Sequence, residues 1–94
     1  MGEREELNKI TEGIIGAAIE VHRTLGPGLL ESAYQAALAY ELNQRGYIVE
    51  QQKPLPVLYK EIKLDAGYRL DFLINNKVIL EIKSSDKISL IHNA

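Results

Sequence analysis

Three charged residues late in the chain have the types and spacing for metal-assisted hydrolysis. They are Asp71 and, after nine intervening residues, the acid and base of Glu81-Ile82-Lys83. Two carboxylates a few ångströms apart repel, and one tends to take up a proton. A divalent cation between them reverses that cost. Oxygen ligands with open water positions suit Mg²⁺ or Mn²⁺. Such an ion polarises a phosphoryl oxygen and lowers the pKa of a bound water. Lys83 can orient that water, help deprotonate it, or offset charge developing on a phosphate. The competing reading is a surface salt-bridge cluster in which Lys83 merely neutralises the acids, and spacing alone does not separate the two.

The acids must be brought together by the elements that carry them. Tyr68–Ile74 and Val78–Ser84 both read as strands, separated by Asn75-Asn76-Lys77. A two-residue Asn-Asn loop would pair Leu73 with Val78 and mix polar and apolar residues on both faces. A three-residue loop pairs Ile74 with Val78, Phe72 with Leu80 and Leu70 with Ile82. One face is then wholly apolar, and a buried face fixes register strongly. In that register Asp71 falls opposite Glu81, with Lys83 two residues on along the same face. Opposed side chains there sit about 4.5–5.5 Å apart at Cβ.

Two helices precede the strands. Leu7, Ile10, Ile14, Ala17, Ala18, Val21 and Leu25 recur at three- and four-residue steps, predicting an amphipathic helix from about Glu3 to Leu25. Gly26 and Pro27 end it, and Gly28 is placed to cap a second helix over about Leu29 to Arg45, closed by Gly46. An extended stretch begins at Tyr47-Ile48-Val49. Pro54 and Pro56 limit it to an edge or a bend before Val57-Leu58-Tyr59 resumes it. Lys60 to Gly67 reads as a polar turn. Ser85 to Ala94 is too short to assign.

Ninety-four residues allow one domain, residues 1–94, with little core to spare. The absence of cysteine excludes disulfides, thiolate chemistry and Cys-based zinc sites. The net charge of −2 does not advertise a nucleic-acid binder. It is unevenly spread: residues 1–45 hold four Lys/Arg against seven Asp/Glu, and residues 46–94 hold seven against six. The second half suits a phosphate-contacting face or an ordinary mixed surface. The acidic start lacks the apolar core of a secretory signal, and the apolar run near Ile14 to Ile19 is too short to span a bilayer. A cytoplasmic protein without membrane contact is expected. No phosphate-loop glycine pattern is present, which disfavours GTP or ATP hydrolysis.

The Asp71 and Glu81-Ile82-Lys83 set resembles the signature of PD-(D/E)XK nucleases. A second match, Gly28-Leu29-Leu30-Glu31-Ser32-Ala33-Tyr34, resembles the motif that names the GxxExxY family of nuclease-like proteins. The flanks agree: Glu20-Val21-His22-Arg23, Leu25-Gly26-Pro27-Gly28 and Gly67-Tyr68-Arg69-Leu70-Asp71. The likeness runs from about Ile10 to Ser84. It implies an α-β-β-β core followed by a helix and a further strand. It also implies that Glu31 matches the family's helical acid, Asp71 its strand acid, and Glu81 and Lys83 its E-x-K pair, all four being catalytic and Asp71, Glu81 and Glu31 holding the metal. His22 and Tyr34 match the pattern as secondary candidates. The residues themselves also allow blander roles. Glu31 can be an exposed glutamate favoured by the helix dipole, His22 a helix-surface residue and Tyr34 a packing residue. Family members continue into a helix with a His-x-x-Gln-like segment, and Ile91-His92-Asn93-Ala94 reads as its beginning.

The expectation is therefore an α+β domain: two N-terminal helices, then a mainly antiparallel three-stranded sheet. This is a partial nuclease core without its last helix and strand. Its function would be Mg²⁺-dependent phosphodiester hydrolysis of DNA or RNA through Glu31, Asp71, Glu81 and Lys83. The alternative is a non-catalytic nuclease-like binding or regulatory module. An uncovered sheet edge and apolar face predict a homodimer.

Overall fold

The computed structural model describes residues 2–28, 30–65, 67–84 and 87–92. Helix α1 spans Glu3–Leu25 and buries Ile10, Ile14, Ala17 and Val21, the stripe that the three- and four-residue steps predict. Glu3, Glu5 and Glu6 crowd its first turn, and His22 and Arg23 its last, complementing the helix dipole. Gly26, at φ 78°, stops it in a conformation that disfavours side chains, and its N–H bonds to the His22 carbonyl at 2.8 Å. Helix α2 spans Glu31–Gln44 and buries Tyr34, Leu38, Ala39 and Leu42. Its N-cap is Leu30 rather than Gly28, and no side chain caps it. Leu29 lies outside the described residues.

Six strands follow: β1 (Val49–Pro54), β2 (Val57–Tyr59), β3 (Ile62–Leu64), β4 (Arg69–Ile74), β5 (Val78–Ser84) and β6 (Lys87–His92). The main sheet has four strands in the order β1-β4-β5-β6, not three, and every pairing is antiparallel. The fourth strand comes from the short C-terminal stretch. Ile88 and Leu90 pair with Ile82 and Leu80 and pack against the core, so alternation holds there over too few residues to be read in advance. Ile91 and His92 are the last rungs of β6 rather than the opening of another helix, and Asn93 and Ala94 lie outside the described residues. The stretch read as a polar turn contains β3, which pairs with β2 as a separate ribbon through a two-residue Lys60-Glu61 turn. Lys60 takes a positive φ of 54° there, without the Asn-Gly or Gly signal that announces such a turn.

The β4–β5 hairpin has the expected three-residue loop, and Ile74 pairs with Val78 and Phe72 with Leu80. Asn75 and Asn76 adopt left-handed φ of 51° and 60°, a conformation asparagine tolerates. The Asn75 side chain also accepts the Ile48 N–H at 2.8 Å, fixing the turn to the start of β1. Phe72, Ile74, Val78, Leu80 and Ile82 face α1 and α2 in one buried cluster. The helices therefore seal the apolar face, and β6 covers the outer side of β5. Both surfaces from which the dimer was argued are occupied within the chain. Among the described residues, no helix is long and apolar enough to cross a membrane.

Gly13 marks how closely α1 approaches the end of α2. A Cβ built there would stand 1.7 Å from the Tyr47 hydroxyl oxygen and 2.7 Å from its ring. Tyr47 itself packs against the core, so its displacement is not free. Gly13→Ala improves helix propensity by about 1 kcal/mol. Overpacking costs about 1–3 kcal/mol. The expected result is a net loss of stability in urea melts, the opposite of the usual outcome for glycine to alanine in a helix.

Candidate functional site

Asp71 is the third residue of β4, half-buried, on the face turned away from the helices. The ladders beside it lapse at its position. The β4–β5 pairing ends at Phe72–Leu80, so the expected Leu70–Ile82 rung is not formed. In its place the Asp71 Oδ2 accepts the Ile82 N–H at 2.8 Å. On the other side, β1 pairs with β4 from Val49–Ile74 to Pro54–Arg69, but the Gln52–Asp71 rung is missing. Gln52 carries a positive φ of 51°. A non-glycine residue in that region costs about 1–3 kcal/mol, and such residues cluster at functional sites. Asp71 is thus released from regular pairing on both sides, and its carboxylate is oriented by a neighbouring strand's backbone instead.

Glu81 and Lys83 follow by alternation along β5 on the same face, with the paired Leu73 and Ile79 beside them. Glu81 is half-buried. Partial burial raises its pKa above the usual carboxylate range, and the neighbouring Asp71 raises it further through hydrogen bonding and charge. Lys83 pulls it back down. Asp71 and Glu81 thus lie close enough for the Asp71 charge to raise the Glu81 pKa. Lys83 is exposed and free to reach a bound group.

Glu31 is not brought to this pair. Among the described residues no three His, Asp or Glu side chains come together as a metal cluster. Glu31 is exposed at the first turn of α2, and that helix packs on the apolar face, across the sheet from the carboxylates. His22 and Tyr34 also lie on the helical side. They line an open pocket of about 390 Å³ with Ile15, Ala18, Ile19, Arg23 and Ile88. Tyr34 is buried, which raises its hydroxyl pKa, as expected of a packing tyrosine. Gln52 is the residue that sequence reasoning missed. Nothing about a glutamine in a strand signals a left-handed backbone opposite an acid.

A sequence profile of the PD-(D/E)XK nuclease superfamily matches residues 8–94. The chain belongs to the PD-(D/E)XK nuclease superfamily. No curated protein and no solved structure gives a significant match. Glu81-Ile82-Lys83 lies on β5 and Asp71 on β4. The donor chemistry fits a hard cation. Mg²⁺ is commonly held by one or two carboxylates plus substrate phosphates, the donor set that Asp71 and Glu81 would offer.

The raised Glu81 pKa has a measurable sign. A carboxyl whose folded pKa exceeds its unfolded value stabilises the fold below the unfolded pKa. That contribution is lost as pH rises through the folded pKa. Metal-free protein should therefore lose stability as pH rises from about 4 through the raised value. Glu81→Gln should remove this slope and stabilise the fold at pH 7 by about 0.2–1 kcal/mol, the scale of opposed like charges in a sheet. Urea titrations in chelator across that range check it. An unchanged slope in the variant would mean that the acids do not repel.

Proposed function

We propose that this chain is a divalent-metal-dependent phosphodiester hydrolase acting on nucleic acid. Asp71 and Glu81 would hold Mg²⁺ or Mn²⁺, and Lys83 would serve the reacting groups. The observation that carries this reading is the Asp71–Glu81 pair, two half-buried carboxyls side by side where the sheet ladders open. Bound there, the cation would polarise a phosphoryl oxygen and acidify a water. The chain's own residues do the rest. The Ile82 N–H fixes one Asp71 oxygen and so orients the carboxylate. A cation held there would offset the burial and the Asp71 charge that raise the Glu81 pKa. Lys83 donates to phosphate oxygens or steers the attacking water. The Gly28, Glu31 and Tyr34 spacing supports membership of the GxxExxY branch, and a nucleic-acid substrate fits a cytoplasmic setting.

A second reading, a nuclease-like module that binds without cleaving, is favoured by one observation: Glu31 stands outside the acid cluster. Calorimetric Mn²⁺ titration addresses the shared premise. Asp71→Asn should weaken Mn²⁺ binding at least tenfold, since even residues supporting metal ligands are worth about 10–100-fold. Equal affinity in that variant would place any ion elsewhere.

A further inference from the structure

Positive charge is concentrated in one part of this acidic chain. Residues 53–69 hold four Lys/Arg against two Asp/Glu, whereas the remaining residues hold seven against eleven. That segment is the β2–β3 ribbon and its roots; at the roots Lys53 pairs with Glu50 and Arg69 with Asp65, which leaves Lys60 and Lys63 as the ribbon's own cations. The ribbon forms a sheet of its own, and among the described residues it makes no extensive contact with the helices or the main sheet. An isolated two-stranded ribbon is marginal in water. This one nevertheless exposes its apolar face, on which the register aligns Val57, Tyr59, Ile62 and Leu64.

The side chains narrow the partner. Tyr59 and Tyr68 are 57% and 60% exposed, and each is followed in sequence by a cation, Lys60 and Arg69. The Lys60 Nζ lies 5.5 Å from the centre of the Tyr59 ring. Lys63 is also exposed, on the reverse face. Arg69 is engaged locally, donating to Asp65 at 3.3 Å and to the Tyr68 carbonyl at 2.8 Å. Exposed rings interleaved with cations form a platform on which unpaired bases stack while phosphates meet the charges. A duplex hides its base faces and offers the rings nothing to stack on. A second copy of the chain would bring two ribbons of like charge together. Moreover, the ribbon's two strands comprise six residues. A stable protein interface uses roughly 20–30 per side.

Position completes the case. The Leu55 N–H bonds to the Tyr68 carbonyl at 2.9 Å and closes the ribbon's root, and the chain re-enters the sheet at Arg69, two residues before Asp71. We propose that the β2–β3 ribbon is an arm that grips single-stranded nucleic acid. A base stacks on Tyr59, a phosphate meets Lys60, and the strand is delivered toward Asp71 and Glu81. Delivery rests on the hydrolase reading; the grip does not.

Fluorescence anisotropy with a labelled 12-nucleotide oligothymidylate in chelator reads the grip without cleavage. The single strand should bind at least tenfold tighter than a duplex of equal length. Tyr59→Ala should weaken it about tenfold, the scale of one lost stack. Tyr59→Phe should retain it. Lys60→Gln should lower the slope of log affinity against log salt by about 0.7, one single-strand phosphate contact. The ribbon lies outside the core, so thermal melts of these variants should match the wild type. Absent single-strand binding, equal duplex binding, or unchanged affinity in Tyr59→Ala would overturn the proposal. So would light scattering in which Tyr59→Ala turns a dimer into a monomer while oligonucleotide affinity stays constant. Binding without any metal-dependent cleavage would sink the hydrolase reading and leave the arm standing. Cleavage and binding indifferent to the arm variants would do the reverse.

Discussion

Lys83→Ala is expected to lower the rate of metal-dependent cleavage by about 10²–10³, the usual cost of removing one group that stabilises developing charge. Mn²⁺ affinity should change little, because the ligands Asp71 and Glu81 remain. Any change should be toward tighter binding, since Lys83 is a cation competing for the same acids. The split between the two measurements is what identifies the role. A variant that cleaves normally would make Lys83 the neutralising partner of a surface cluster. One that loses metal and cleavage together would make it a structural support of the carboxylates.

The second large effect concerns the fold that holds the acids. Phe72 is fully buried in the middle of β4, between the two helices and the sheet, and it pairs with Leu80 on the rung next to Asp71. Phe72→Ala should cost about 3–5 kcal/mol through lost burial and the cavity left behind. Small domains have only about 5–15 kcal/mol in all. The urea midpoint should fall sharply, and much of the population should unfold at physiological temperature. The exposed Leu55 offers a contrast, since its replacement by alanine should stay within about 0.5 kcal/mol of wild type. Comparable losses at the two positions would mean that the sheet is not packed on the helices as described.

The hairpin register was legible because one strong constraint decided it: only the three-residue loop leaves Phe72, Ile74, Val78, Leu80 and Ile82 on one side. The α1 stripe was legible for the same reason, a long run of apolar residues at helical spacing. Three features were not. Strand β6 offers only Ile88 and Leu90 as inward residues, too few to establish a period. The β2–β3 ribbon turns through Lys60-Glu61, which lacks a turn signature, and both its strands are exposed, so burial left no pattern. The lapse of both ladders at Asp71 depends on Gln52 and on how β4 and β5 separate, which is tertiary geometry rather than local preference. Of the four residues expected to act together, the strands bring Asp71 and Glu81 together, with Lys83 next along the face. Glu31 belongs to the helical layer on the other side.

The most direct test is a cleavage time course on end-labelled single-stranded and duplex oligonucleotides. It compares wild type with Asp71→Asn, each in Mg²⁺, Mn²⁺ or chelator. Products are expected only with a divalent cation, and at rates at least 10²-fold lower for Asp71→Asn than for the wild type. Cleavage that persists in chelator, or that Asp71→Asn performs at the wild-type rate, would contradict it.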